Sequence, residues 1–296
     1  MDICVFGTGS LGSLISGLLA DDHEVTVVGR NPHIRVIDEQ GLRLTGECDR
    51  RVFPRARTAV PSGGDLAIVT VKSFDTQAAA DALSQCDFDA VLSLQNGMGN
   101  EETLASALDV PVLAGTCTYG ARRPEAGVVE CTGIGEVVLG PPDGGESALA
   151  TRVGSALSAG LDTTVSQEMP RRLWEKLAVN AGINAVTALA RVQNGDVASG
   201  PGEEVARRAA RETASVAASV GVEIPDAPET MLAVADQTAE NTSSMYQDIL
   251  RGRRTEIDAI NGYVVDQARD PVPVNETLTA LVRAWETARE LRNSES

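Results

Sequence analysis

Lysine is almost absent from this 296-residue chain, which has only Lys72 and Lys176 although lysine and arginine together number 25. Histidine is equally scarce. His23 and His33 lie near the N-terminus, far in sequence from other candidate chemistry, so we expect loop histidines and no histidine-based catalysis. The five cysteines are odd in number and form no Cys-x-x-Cys pair. This argues against a disulfide framework and a zinc site, and no metal is expected.

The chain also lacks any apolar run of the roughly 20 residues that a membrane helix needs. No basic segment followed by an apolar one opens the sequence, so a secretory signal is not expected. Acidic residues outnumber basic ones by 42 to 25, giving a net charge of −17 that repels phosphate backbones and anionic lipid. We therefore expect a cytoplasmic protein that binds a small-molecule substrate, and neither nucleic acid nor membrane.

The acidic, lysine-poor composition indicates adaptation to high salt and thus a halophilic source. Because nearly every basic residue is arginine, we expect the two lysines at positions whose chemistry arginine cannot perform. Arginine effectively never loses its proton, whereas lysine does so when its surroundings lower its pKa. Lys72 and Lys176 are therefore candidate functional residues, the alternative being that two lysines survive by chance.

The first half of the chain alternates short apolar segments with helical ones. Strands rich in valine, isoleucine and leucine are predicted at 3–7, 24–29, 66–71, 90–94, 112–118 and 136–139, and helices at 10–20, 74–83 and 148–158. This alternation predicts a Rossmann-type doubly wound parallel sheet covered by helices on both faces.

After residue 169 strand signals are absent and the chain is alanine-rich. Helices are predicted at 171–191, 202–219, 227–238, 242–250, 256–268 and 274–291. We therefore expect two domains, an α/β dinucleotide-binding domain over 1–167 and an all-helical substrate-binding domain over 168–296.

A Gly-x-Gly-x-x-Gly motif directly follows the first predicted strand and opens the first helix. Its residues are Gly7, Thr8, Gly9, Ser10, Leu11 and Gly12. In this context the glycines permit a tight turn, close approach of a diphosphate and close helix packing. The helix N-terminus adds N–H groups and positive potential. The motif predicts dinucleotide binding, against the alternative of a glycine-rich turn without ligand.

The end of the second strand indicates which dinucleotide binds. NAD enzymes usually place a carboxylate there for the ribose 2′-hydroxyl. This chain has Arg30 instead, whose guanidinium would pair with a 2′-phosphate. We therefore predict NADPH rather than NADH.

Two polar residues follow neighbouring predicted strands of the sheet. Lys72 ends the strand at 66–71, and Asn96 follows the strand at 90–94. Ligands of open α/β sheets bind outside the carboxyl ends of the strands. Both residues are therefore expected toward the nicotinamide, although Asn96 could equally be a turn asparagine.

The helix predicted at 171–191 has a polar stripe of Lys176, Asn180 and Asn184, spaced i, i+4 and i+8. At about 100° per residue, each step drifts only about 40°, so all three lie on one narrow face. Their neighbours are apolar. Because buried amides need partners, a polar ligand is the simple explanation, and an internal polar network is the alternative.

Two further candidate segments follow. Asn241 and Ser244 are spaced i, i+3, and Glu256 opens the helix predicted at 256–268. Acidic residues are favoured in a first helical turn, so helix capping competes with a functional role for Glu256.

Together these segments resemble the ketopantoate reductase (2-dehydropantoate 2-reductase) family over nearly the whole chain. The motifs are Gly7–Gly12, Val69–Lys72, Gln95–Gly99, Lys176–Asn184 with Thr187–Leu189, Ser243–Asp248, Arg254–Asp258 and Asn261–Gly262. The resemblance implies NADPH-dependent reduction of 2-dehydropantoate to (R)-pantoate, on the route to pantothenate and coenzyme A.

The resemblance also implies roles for individual residues. Lys176 matches the general acid of the family, and Glu256 is a second catalytic candidate that also lies near the cofactor. Substrate-binding positions match Lys176, Asn180, Asn184, Asn194, Asn241 and Ser244. Cofactor positions match the glycine motif, Lys72, Asn96, Ala121 and Glu256, in addition to Arg30, which is predicted from its place after the second strand.

Two alternatives remain open from the sequence. One is a reductase of the same architecture that acts on another 2-oxo or 3-hydroxy acid. The other is an NADPH-binding regulatory module without turnover, which the presence of Lys176 and Glu256 disfavours. The apolar helical half of the chain suits a homodimer.

Overall fold

A computed structural model of the chain describes residues 1–292. It divides into two compact units. The first consists of residues 1–95 and 100–169, and the second of residues 96–99 together with the chain from Pro170 onward. Within residues 1–292, no helix is both long enough and apolar enough to cross a membrane.

The first unit contains all the strands of the described chain. They are β1 Asp2–Phe6, β2 Glu24–Val28, β3 Leu42–Gly46, β4 Arg50–Val52, β5 Arg55–Arg57, β6 Gly63–Gly64, β7 Leu66–Val69, β8 Asp87–Phe88, β9 Val91–Ser93, β10 Val112–Cys117, β11 Gly120–Glu125, β12 Val128–Gly133, β13 Val137–Gly140 and β14 Thr163–Val165. Its helices are α1 Ser10–Leu19, α2 His33–Gln40, α3 Thr76–Leu83, α4 Asn100–Ala107 and α5 Ala148–Leu157.

Eight of these strands form the main sheet, in the order β14-β13-β10-β9-β7-β1-β2-β5. The strand order reverses beside β1, which pairs in parallel with β2 on one side and β7 on the other. The central strands are short and buried on both faces, β7 and β9 completely, as expected where helices cover a parallel sheet. The predicted doubly wound fold is confirmed.

One pairing of the main sheet differs from the expected parallel arrangement. Strand β13 extends the sheet as predicted but runs antiparallel to β10, with Val137 opposite Cys117. A parallel pair requires a crossover, usually a helix, whereas the chain between these strands forms the β11–β12 hairpin. The direction of β13 follows from that hairpin, which the apolar pattern did not predict.

The hairpin belongs to a second sheet, in the order β11-β12-β3-β4. Its strands carry many charged residues and alternate imperfectly, so none was predicted, nor were helices α2 and α4. The sheet packs against α1 so closely that a Cβ on Gly17 would lie 2.9 Å from Cδ2 of Leu44. Leu42 and Leu44 are thereby fully buried in the core of the first unit.

The second unit is helical throughout its described part. Its helices are α6 Met169–Ala190, α7 Pro201–Ser219, α8 Ala227–Gln237, α9 Ser244–Leu250, α10 Tyr263–Gln267 and α11 Pro273–Thr287, with a 3₁₀ turn at Asn194–Val197. Small residues let the helices approach closely, and a Cβ on Gly182 of α6 would lie 2.8 Å from Cγ of Met231. The predicted all-helical half is confirmed.

The helix predicted at 256–268 is replaced by two shorter elements. A π-helical turn spans Asp258–Gly262 and leads into α10. Its wide hydrogen bond runs from Gly262 N–H to Ile257 O, at 2.8 Å. Single π turns within helices frequently accompany functional sites.

Candidate active site

The glycine loop of the first unit connects β1 to α1, as predicted. Gly7 has φ +109°, and a Cβ there would lie 2.7 Å from Val71 N. A Cβ on Gly12 would collide with Gly7 O and with Thr70 Oγ1. The protein's own packing therefore demands glycine at both positions.

Gly9 is different. Its φ of −71° suits any residue, and a Cβ there would find no atom of the described chain within 4 Å. Nothing in the fold requires glycine at this position. The open space above the Gly9 backbone fits a diphosphate that approaches the loop closely, which is the role predicted for the second glycine.

The N-terminus of α1 faces the same loop. The first intrahelical bond runs from Ser13 N–H to Gly9 O, at 3.1 Å, so the N–H groups of Ser10, Leu11 and Gly12 precede it. The capping residue is a glycine, and the first turn carries no acidic side chain. These amides and the positive end of the helix dipole suit phosphate oxygens.

Arg30 follows Gly29, one residue beyond the end of β2, beside the glycine loop. A Cβ on the preceding Gly29 would collide with Thr8 Oγ1, so the end of β2 abuts the loop. The Arg30 side chain is 89% exposed, and its Nη2 lies 3.4 Å from Asp75 Oδ2. Exposed ion pairs contribute about 0–1 kcal/mol, so this contact leaves the guanidinium available for a phosphate.

Lys72 does not lie on a strand, because β7 ends at Val69 rather than at 71. Thr70 Oγ1 donates to Gly7 O at 2.7 Å, so the chain just beyond β7 lies against the glycine loop. Lys72 then caps the 3₁₀ turn Ser73–Asp75 and is half-buried. It follows the carboxyl end of β7, as the sequence predicted.

Asn96 belongs to the short segment that the structure assigns to the second unit. Met98 N–H donates to Ala259 O at 3.0 Å, and a Cβ on Gly97 would lie 2.6 Å from Cβ of Ala259. Gly97 also has φ +79°. This segment therefore lies directly on the π turn that follows Glu256.

The polar stripe lies on α6, which is continuous over the predicted range. Lys176 and Asn180 are half-buried and Asn184 is buried, while Leu177 and Ala181 on either side are almost completely inaccessible. The stripe thus lies in an apolar surrounding, as expected from the sequence.

Ser244 is held against α6 near Asn184. The hydroxyl of Thr187 lies 2.7 Å from that of Ser243, which caps α9 by accepting from Tyr246 N–H. Thr187 Oγ1 is also 3.1 Å from Asn184 O. These bonds bring the first residue of α9 to the Asn184 turn of α6.

Asn194 and Asn241 are joined through the backbone, Asn194 N–H donating to Asn241 O at 3.0 Å. The side chain of Asn241 is exposed, and the residue precedes α9, so it forms no helical face with Ser244. Asn194 is buried, and its Nδ2 donates to Thr238 Oγ1 at 2.9 Å. Within residues 1–292 its Oδ1 is a buried acceptor without a donor.

Glu256 is buried, unlike a solvent-facing first-turn acid. Its backbone carbonyl accepts from Ala259 and Ile260 at the start of the π turn. Asn261 Nδ2 in that turn donates to Ala181 O of α6 at 3.0 Å. The second unit therefore brings the Glu256 segment to the stretch of α6 between Asn180 and Asn184.

Charged residues around Asp258, two positions after Glu256, form a network that the sequence did not predict. Asp258 contacts Arg283 and Arg292, each at 2.8 Å. Burial by itself would raise the pKa of Asp258, but hydrogen bonds from these two arginines lower it below its ordinary value. Glu286 of α11 is fully buried and binds Arg292 at 2.7 Å.

His33 does not lie in a loop, as the sequence had suggested. It begins α2 and is buried, with Nδ1 accepting from Gly127 N–H at 2.9 Å and Nε2 lying 2.9 Å from Ser13 Oγ. Burial, and then the charge of Arg123, lower its pKa from 6.5 to about 4. Ala121, on the same hairpin as Gly127, is half-buried at the edge of the first unit's core.

The fold and these residues define a class: a nicotinamide-dinucleotide oxidoreductase with an α/β unit and a helical unit that carries a lysine–amide stripe. The chain belongs to the ketopantoate reductase family. The family model "Ketopantoate reductase PanE/ApbA" matches residues 3–144, and the C-terminal model of the same family matches residues 168–286.

Two relatives of the chain carry the same name. It is 44% identical to the 2-dehydropantoate 2-reductase of Halobacterium salinarum over 96% of this chain and 98% of that protein. It is 40% identical to the enzyme of the same name from Archaeoglobus fulgidus, over 96% and 97%. The resemblance inferred from the motifs is confirmed.

Two solved structures are similar to this chain over nearly its whole length. A ketopantoate reductase from Ralstonia eutropha superposes with a TM-score of 0.90 at 34% identity, covering 98% of this chain and 100% of that one. A D-mandelate dehydrogenase with bound NADH gives a TM-score of 0.91 at 25% identity, covering 99% and 100%.

Proposed function

We propose that this protein reduces 2-dehydropantoate to (R)-pantoate with NADPH, a step on the route to pantothenate and coenzyme A. The relatives named for this reaction match nearly the entire chain. The observation that carries the proposal is the placement of Lys176 on α6, half-buried and one and two turns from Asn180 and Asn184. A 2-oxo acid with a hydroxyl group needs this mixture of one cation and several amides.

The nicotinamide ring supplies the hydride when the cofactor is bound. As the ketone carbon of the substrate is reduced, negative charge grows on its oxygen, so a donor held at that oxygen stabilises the transition state. Lys176 donates a proton to this oxygen, which becomes the new hydroxyl group. Arginine could not deliver a proton near pH 7, which explains the lysine at this position.

The remaining polar residues of the second unit orient the substrate. Asn180, Asn184, Asn241 and Ser244 supply amide and hydroxyl groups for its carboxylate and hydroxyl. Asn194 Oδ1 is a buried acceptor suited to a substrate O–H. Glu256 accepts a hydrogen bond from a substrate hydroxyl.

The first unit selects the cofactor. The glycine loop, with its open face at Gly9, holds the diphosphate, and Arg30 pairs with the 2′-phosphate. Lys72 and Ala121 of the first unit, and Asn96 and Glu256 of the second, are the remaining residues that we propose for cofactor binding. We propose domain limits of 1–167 for cofactor binding and 168–296 for substrate binding.

The test is a spectrophotometric assay of reduced-nicotinamide oxidation in molar KCl. Rapid oxidation of NADPH with 2-dehydropantoate, and with no other 2-oxo acid of a panel, is the expected result. The fold shared with a D-mandelate dehydrogenase makes an aryl 2-oxo acid with NADH the second candidate. Oxidation confined to that pair would reject the proposal in favour of the alternative.

A further inference from the structure

Arg123 lies on the strand β11, in the part of the first unit that apolar patterning did not predict. Its Nη1 donates to the carbonyl oxygen of Thr8 at 2.7 Å, across 115 positions of the sequence. Thr8 is the second residue of the glycine loop. The second sheet therefore delivers a guanidinium directly to the loop that faces the dinucleotide.

The hairpin that carries Arg123 is fixed to α1 at its turn. Gly127, between β11 and β12, donates to Nδ1 of His33, and the opposite ring nitrogen of His33 contacts the hydroxyl of Ser13 in α1. Because Nδ1 accepts, Nε2 carries the proton and donates to Ser13. His33 is thus a rigid neutral link between the hairpin and the first turns of the helix.

Arg122, the neighbouring arginine, serves a different purpose. Its Nε and Nη2 donate to Oε2 of Glu130 on β12, at 2.8 and 2.6 Å. This is an exposed cross-strand ion pair within the second sheet. The alternation of side chains along β11 therefore separates two adjacent arginines, and only Arg123 reaches the glycine loop.

Two features that attract anions coincide at this loop. One is the N-terminus of α1, with its glycine cap, acid-free first turn and open space above Gly9. The other is the Arg123 guanidinium at Thr8 O. The positive end of a helix dipole and a guanidinium both favour a bound anion of high charge. A guanidinium donates several N–H groups in a fork that matches phosphate oxygens.

We propose that Arg123 binds the diphosphate of the dinucleotide, together with the amides of the glycine loop. The inference rests on the proposed use of a nicotinamide dinucleotide and assigns a binding residue to that site. Arg30 and Arg123 then bind different phosphate groups of the cofactor. Arg30 recognises the 2′-phosphate that distinguishes NADPH, and Arg123 binds the diphosphate that NADPH and NADH share.

The experiment measures equilibrium binding of NADPH, NADH and ADP-ribose to Arg123→Gln by calorimetry, without substrate. All three ligands contain the diphosphate. Loss of a charge-assisted hydrogen bond is expected to weaken each by a similar factor, on the order of tenfold to a hundredfold. Arg122→Gln is the matched control, adjacent on the same strand, and should bind all three normally. Arg30→Gln should weaken the binding of NADPH and leave the binding of NADH and ADP-ribose unchanged.

Arg123→Lys separates ligand binding from support of the loop, because it keeps the charge but loses the fork. It should recover part of the affinity for all three ligands, and ligand-free Arg123→Lys should unfold at the temperature of the parent protein. Unchanged binding by Arg123→Gln, a loss confined to NADPH, or no recovery in Arg123→Lys would overturn the assignment. Since no substrate is present, these results do not depend on which 2-oxo acid is reduced.

Discussion

The carboxylate of Glu286 accepts two hydrogen bonds from Thr255, with Oε1 lying 2.6 Å from the backbone nitrogen and 2.6 Å from Oγ1. The acceptor is fully buried at the end of α11, and its other oxygen binds Arg292. Thr255 immediately precedes Glu256. The position of the Glu256 backbone is therefore set by a carboxylate 30 residues further along the chain.

Glu286→Gln should test this positioning role. The amide can still accept from Thr255, but it removes the charge that pairs with Arg292, at a cost of about 2–4 kcal/mol in unfolding free energy. We expect KM for 2-dehydropantoate and the Kd for NADPH both to rise severalfold, because Glu256 is proposed to contact substrate and cofactor. Urea unfolding measures the unfolding free energy, steady-state kinetics measure KM, and a cofactor titration measures the Kd for NADPH. Glu290→Gln, at an exposed position just beyond α11, is the control and should change none of these quantities.

Lys176→Arg should separate charge from proton donation. Arginine keeps the positive charge but cannot release a proton near pH 7, so kcat should fall by about 10²–10⁴ with little change in NADPH affinity. Single-turnover kinetics and a separate cofactor titration provide the readouts. Lys72→Arg is the control for the same substitution. Because proton transfer is assigned to Lys176 alone, Lys72→Arg should not show this fall in kcat. Near-normal turnover of Lys176→Arg would exclude its role as the general acid.

Arg30→Asp should shift cofactor preference toward NADH, because a carboxylate repels the 2′-phosphate and accepts from a 2′-hydroxyl. Asp75→Asn is the informative partner variant. It removes the carboxylate that now pairs with Arg30 at 3.4 Å, and NADPH should bind up to about fivefold more tightly in dilute salt. The gain should vanish in molar KCl, where the ion pair is screened. If Arg30→Asp left the ratio of Kd values unchanged, another residue would recognise the 2′-phosphate.

His33 should make the protein sensitive to acid. Burial and the nearby Arg123 charge lower its pKa from 6.5 to about 4, so below pH 6.5 the unfolded chain binds a proton that the folded one refuses. The associated stability is present above pH 6.5 and is lost as the pH falls toward 4, by about 3 kcal/mol. Unfolding free energies of the parent and of His33→Gln, measured from pH 4 to 8, check this. The parent should lose more stability on acidification than the variant, and parallel curves would contradict the prediction.

Several elements were predictable because their determinants are local. The strands β1, β2 and β9 are short apolar segments between turn residues, and α6 is an alanine-rich stretch that has no proline after Pro170 in its first turn. The glycine motif could be interpreted because its neighbours are a strand and a helix. Lys176 could be singled out because lysine is so rare in this chain.

Other features could not be predicted from the sequence because long-range contacts create them. The second sheet alternates weakly, and its strands are stabilised by packing on α1 rather than by their own composition. The antiparallel direction of β13 follows from the hairpin before it. Glu286 and Arg123 look like ordinary surface charges in the sequence, and only the folded chain brings them to Thr255 and Thr8.

The sequence by itself therefore determined the two-part architecture, the dinucleotide loop and the polar stripe of α6, since each depends on spacing within a few turns of chain. Only the tertiary structure decided that packing demands glycine at Gly7 and Gly12 but not at Gly9, how the Glu256 backbone is held, and which of two adjacent arginines reaches the glycine loop. These depend on distances between segments far apart in sequence, which the folded packing of each unit sets.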